Sequence, residues 1–155
     1  MNSRKGAVVF LSWLSVIGWM SFIFLFSMQE GDDSAQLSGG FVEFFSPFIQ
    51  VFVPNMTLDT LHLFVRKLAH MTEFAVLAIL LVNALRQHFN EKREIYILAL
   101  IIGSVYAITD EVHQLFVTSR VGSVVDVLFD TFGVIVGLVL FELVVQIFKR
   151  NSEGL

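Results

Sequence analysis

Lys67, His70 and Glu73 fall within two turns of a stretch otherwise apolar enough to sit in lipid. A charged side chain at a bilayer centre costs about 2.5–3.5 kcal/mol on insertion scales, so these groups require partners. A second polar set reads Asp110-Glu111-Val112-His113-Gln114, and a third places Asp126 and Asp130 four residues apart. Imidazole beside carboxylate supports two kinds of chemistry. A His–carboxylate pair can serve as general base while another acid donates a proton. The same groups can also bind metal. His70 and Glu73 have the i, i+3 spacing of ligands on helical metal sites. Asp110, Glu111, Asp126 and Asp130 offer oxygen donors suited to Mg²⁺ or Mn²⁺. The candidate metal ligands are therefore His70, Glu73, Asp110 and Asp126. Arg66, Lys67 and Arg120 bring the opposite capability, charge-assisted hydrogen bonds to phosphate or carboxylate.

The elements that carry these groups belong in a membrane. The 155 residues are 55% hydrophobic and only 15% charged, against about 25% charged in a typical soluble domain. The mean hydropathy is +0.75. One domain suits the length. With no cysteine, thiol catalysis, disulfides and Cys-type metal sites are excluded. The net charge of −4 and the lack of a basic run give no sign of a nucleic-acid partner.

Residues 6–29 are uncharged, more than the ~20 that a spanning helix needs. Their apolar part is too long for a signal-peptide core and no small-x-small cleavage site follows, so an uncleaved first span over residues 7–28 is expected. Residues 29–40 are polar and acidic and read as a loop. Residues 41–53 are too short to span. Glu43, Ser46, Pro47 and Gln50 recur there at helical spacing among apolar residues, the pattern of a short amphipathic segment lying in the interface. A hydrophobic loop packed over the bundle is the plainer alternative.

Thr57 is a good N-cap for a helix running to about Phe89, with its membrane-spanning part over residues 62–88. At ~100° per residue, Asp59, His62, Arg66, His70 and Glu73 lie within about 80° of one another, with Lys67 at the edge of the stripe. A charged loop follows at residues 86–94, and a third span is expected over 95–116. On it Gly103, Ala107, Asp110, Glu111 and Gln114 share roughly 100° of circumference, flanked by Tyr106. Ser123 caps a fourth span over 123–148, where Asp126 completes a Ser-x-x-Asp capping box. Asp126, Asp130, Gly133 and Gly137 share about 60° of that helix, and Gly133-x-x-x-Gly137 permits a close helix crossing.

Four spans put both termini on one side, with Arg4, Lys5, Arg86, Lys92, Arg93, Lys149 and Arg150; Arg66, Lys67 and Arg120 stand on the other. The positive-inside rule then predicts a multi-pass plasma-membrane protein with cytoplasmic termini. In that orientation three helices bring polar faces to the outer half of the membrane, where a water-accessible cavity opening outward accommodates them.

The order Lys67-x-x-His70-x-x-Glu73, then Asp110-Glu111-x-x-Gln114, then Arg120 and Asp126 before a Gly-rich helix at Gly133 resembles the VanZ-like membrane proteins. The resemblance covers about residues 67–137 and a compatible first span. Asp130 stands where members of that family often have Asn. The resemblance implies a bacterial membrane protein of a family whose founding member is linked to resistance to the glycopeptide teicoplanin. It implies no established biochemical activity.

Arg66, Lys67, His70, Glu73, Asp110, Glu111, Gln114, Arg120, Asp126 and Asp130 are thus expected to form one functional cluster. With His70 and the neighbouring His113 neutral its formal charge is −2, and five unpaired acids at mid-membrane would cost on the order of 10–15 kcal/mol. The reading that accounts for so many groups is binding of an amphiphilic envelope molecule, either a lipoglycopeptide or a lipid-linked peptidoglycan precursor, with the Phe-rich residues 41–52 covering its tail. An intramembrane hydrolase or transferase, metal-dependent or acid–base, is the competing class, although no nucleophile elbow, HExxH or phosphate-binding Gly loop is present. A network that only fixes helix register is the structural alternative. A proton-coupled transporter finds no inverted repeat to support it.

Overall fold

The computed structural model describes residues 3–28, 57–116 and 123–153. Four α-helices make up this part of the chain: α1 (Ser3–Ser27), α2 (Leu58–Leu85), α3 (Lys92–Gln114) and α4 (Val124–Glu153). Each is long and apolar enough to cross a membrane, and no strand occurs among the described residues. The protein is an all-α, multi-pass membrane protein. Many exposed large side chains, such as Leu11, Ile101, Leu128 and Ile147, form the greasy outer surface expected where lipid replaces water. The interfacial segment expected at residues 41–53 lies outside the described residues.

α2 is the central element. It packs on α1, α3 and, most extensively, α4, whereas α1 and α4 do not touch among the described residues. The α2–α4 crossing depends on the two glycines of the predicted motif. A Cβ on Gly133 would stand 3.0 Å from Met71 Cα, and one on Gly137 2.8 Å from Ala75 Cα, with the carbonyl oxygens of Met71 and Ala75 closer still. Backbone meets backbone there, as small residues allow in membranes. At Gly103 the α3–α4 contact is backbone against side chain, since a Cβ there would meet Val134 Cγ2 at 2.8 Å.

The helix ends differ from the sequence pattern where tertiary partners intervene. α2 stops at Leu85, short of Phe89. The chain then tightens, with His88 N–H donating to Leu85 O at 2.9 Å, and Trp13 Nε1 on α1 donates to His88 Nε2 at 2.9 Å. α3 begins at Lys92, ahead of residue 95, because Lys92 Nζ and Tyr96 Oη both donate to Glu142 of α4, at 2.5 and 2.9 Å. Thr57 caps α2 as expected, its hydroxyl accepting from Thr60 N–H at 3.3 Å.

Buried apolar residues run from Val16 and Ile23 of α1 through Phe74, Leu77 and Leu81 of α2 to Ala99, Ala107, Val134 and Leu138. This core fills one half of the bundle. The other half is polar.

Candidate functional site

Three helices deliver the polar groups to one level. His70 stands on α2, Asp110 on α3 and Asp130 on α4, and one ligand atom from each lies within 4.8 Å of the others. One helical turn toward the bundle centre, the corresponding residues are Phe74, Tyr106 and Val134. Phe74 and Val134 are fully buried, and the Phe74 and Tyr106 rings sit 6.0 Å apart. The polar level therefore rests on a dry apolar floor. The glycine crossing fixes the register, since Met71 follows His70 and Gly133 is one turn beyond Asp130.

Asp110 is 1% exposed and Asp130 3%. Asp110 Oδ2 accepts from Gln114 Nε2 at 3.0 Å and from Ser27 Oγ of α1 at 3.1 Å. His70 Nδ1 stands 3.9 Å from Glu73 Oε2. Lys67 forms an ion pair with Asp126, and its ammonium lies 5.1 Å from the centroid of the Phe129 ring. Among the described residues Asp130 makes no hydrogen bond or ion pair. Two unit negative charges ~5 Å apart repel by about 3 kcal/mol at an effective dielectric near 20. With Asp110 and Asp130 at this spacing, positive charge has to stand beside them if both are ionised.

Above this level lies a small, open cavity of about 20 Å³, lined by Arg66, Lys67, His70, Glu111, Gln114, Asp126, Phe129 and Asp130. Of the ten side chains singled out in the sequence, Arg120 lies outside the described residues. Seven of the other nine line the cavity, and Glu73 and Asp110 stand directly against its His70 wall. His113, on the same polar run, turns away and stacks on Phe24 of α1 with centroids 3.9 Å apart.

The predicted capping box is corrected. Ser123 does cap α4, accepting from Val125 N–H at 3.2 Å. The reciprocal bond, however, is not made by Asp126. Ser123 N–H donates instead to Glu111 Oε1 of α3 at 2.5 Å. A carboxylate from another helix takes the role of the N3 acid, and this leaves Asp126 to pair with Lys67. Glu111 thus ties the end of α3 to the start of α4 at the cavity wall.

Ser27 and Phe129 were missed in the sequence. Ser27 shares a face with Val16, Met20 and Ile23, the inward face of α1. In a helix apolar on every side no periodicity marks that face. Phe129 is adjacent to a predicted site residue but reads as one more lipid-facing aromatic.

Fold and site define a polytopic membrane protein with a mixed-charge cavity buried between its helices. The family pattern described as VanZ/LLP1 matches residues 11–145, most of the chain, and the protein belongs to that family. No curated protein and no solved structure gives a significant match.

Proposed function

We propose that the cavity binds the polar headgroup of an amphiphilic cell-envelope molecule, and that its mouth faces the cell exterior. The observation that carries this reading is the mixed lining. Lys67 and Arg66 stand beside Asp126, Glu111 and Asp130 in one concavity at the membrane-embedded end of three helices. Cations there suit phosphate or carboxylate, and the acids suit amines and hydroxyls. Size narrows the ligand. The concavity encloses only about 20 Å³, room for about one water. A single charged or hydroxyl group of the headgroup would enter it, with the rest of a lipid-linked peptidoglycan precursor or a lipoglycopeptide such as teicoplanin lying over the open mouth and in the bilayer. A contribution to glycopeptide resistance would follow from sequestering either molecule.

Native mass spectrometry of the detergent-purified protein, beside the Glu73→Gln/Asp110→Asn double variant, tests this. A lipid-linked precursor retained on the wild type and lost from the variant, at equal melting temperature, is the expected result. Identical bulk phospholipid adducts on both would overturn it. Orientation has its own test. A cysteine at Ser34 should label from outside intact cells, and one at Asn90 only after permeabilisation; the reverse pattern would turn the cavity to the cytoplasm.

A further inference from the structure

We propose that His70, Asp110 and Asp130 form a divalent-cation site, for Mn²⁺ or Zn²⁺, at the base of the cavity. The inference goes beyond headgroup binding and does not depend on it. Three observations support it. The donors come from three different helices, and one atom of each lies within 4.8 Å of the others. Ligands bonded at about 2.0–2.2 Å stand roughly 3–4.4 Å apart around one ion, so closure asks each donor to move by only about half an ångström. That is within reach of small side-chain rotations.

The second observation is Asp130 itself. It is 3% exposed, lines the cavity, and has no hydrogen-bond or ion-pair partner among the described residues. Buried carboxylates are normally hydrogen-bonded, paired or metal-bound. The nearest side-chain ammonium, Lys67, is already engaged by Asp126. A cation between Asp130 and Asp110 supplies the missing partner and screens their repulsion.

The third observation is how the donors are supported. Asp110 Oδ2 is held by Gln114 and Ser27, and Glu73 lies against the His70 imidazole, 3.9 Å from Nδ1. A carboxylate against the ring and amide or hydroxyl donors on a ligating carboxylate are the outer partners that orient metal ligands. The donor set also selects the ion. Imidazole disfavours Mg²⁺ and Ca²⁺, two carboxylates disfavour Cu⁺, and the mixed set suits Mn²⁺ or Zn²⁺. At the base of the cavity the ion would present its open positions to whatever anionic group enters.

The test uses the full chain in detergent, stripped with EDTA and freed of chelator, with MnCl₂ alone as probe. Loss of the six-line signal of aqueous Mn²⁺ should show one ion bound per chain, displaceable by Zn²⁺. Pulsed EPR of bound Mn²⁺ should show nitrogen coupling from one imidazole. Asp130→Asn should weaken binding at least tenfold, and His70→Gln should remove the nitrogen coupling. Glu142→Gln, remote from the site, should change neither. Absence of stoichiometric binding of either ion by the wild type would overturn the proposal, as would bound Mn²⁺ without nitrogen coupling. Both readouts are made on the wild type, so a variant that fails to fold does not obscure them. The titration contains no amphiphile; failure here leaves headgroup binding standing, and failure to retain a headgroup leaves the cation site standing.

Discussion

At one end of the bundle Glu142 is surrounded by donors. Its Oε1 accepts from Lys92 at 2.5 Å and Gln146 at 2.7 Å, and its Oε2 accepts from Tyr96 at 2.9 Å. One acid meets three donors, and the lysine is largely exposed. Roughly 18 Å away along α4, Asp130 belongs to the opposite arrangement. Glu73, Asp110, Glu111, Asp126 and Asp130 crowd together, and of the described residues Arg66 and Lys67 are the side-chain cations that line their cavity. That is a formal −3 with His70 neutral. The first network closes on itself and serves packing. The second has a formal excess of negative charge among the described residues, a condition suited to a site that receives positive charge from outside. A buried polar group is informative by the balance of its partners, more than by being polar.

The largest expected effect comes from the crossing that holds the acidic level in register. Gly133→Leu drives a side chain into the backbone of Met71. Overpacking costs about 1–3 kcal/mol where neighbours can shift, and more where they cannot. The variant should fail to accumulate as a monodisperse protein in size-exclusion chromatography. Gly133→Ala should fold with a lowered melting temperature and a weakened site, while the Glu142 network persists. A normal melt and normal Mn²⁺ binding in Gly133→Ala would show that α2 and α4 are less tightly matched than their contact implies.

The sharpest test sets the two networks against each other. Asp130→Asn removes a buried charge without changing shape, so the melting temperature should stay or rise while cation or headgroup binding falls at least tenfold. Active sites commonly trade stability for function in this way. Glu142→Gln should do the reverse. It should leave binding intact and lower stability by no more than about 1 kcal/mol, because partly exposed pairs contribute little. Thermal melts and Mn²⁺ titrations of the two variants side by side check both arms. If Asp130→Asn destabilises more than Glu142→Gln, the acidic level is structural and the contrast fails.

Much of this contrast was legible in the sequence. Stepping ~100° per residue puts His70 and Glu73 on one face of α2, Asp110, Glu111 and Gln114 on one face of α3, and Asp126 and Asp130 on one face of α4, and those faces meet. Gly133 and Gly137 announce the crossing. What could not be read depends on pairs far apart in the chain. Ser27 reaches Asp110 across 83 residues, and the Lys92–Tyr96–Glu142 group joins the start of α3 to the interior of α4, which no local pattern connects. The capping box failed for the same reason. A local motif at Ser123 and Asp126 lost to a better-placed acid, Glu111, from the preceding helix.

The smallest expected effects test how firmly α1 is attached to the polar half. Trp19 Nε1 donates to Glu73 O at 2.9 Å, and Tyr106 Oη donates to Met20 O at 2.5 Å. Both acceptors are carbonyls inside helices, so removing the donor leaves neither orphaned. Each of Trp19→Phe and Tyr106→Phe should then fall at the low end for a hydrogen bond, about 0.5 kcal/mol. The two bonds reach different helices from adjacent residues of α1, and Ser27, two turns further on, donates to Asp110. If α1 docks as a rigid rod, the double variant should lose more than the sum of the singles, since coupled contacts do not add. It should also loosen Mn²⁺ binding by detaching Ser27 from Asp110. Strict additivity with unchanged Mn²⁺ affinity would mean that α1 only covers the bundle, and that the cavity is built by α2, α3 and α4 alone.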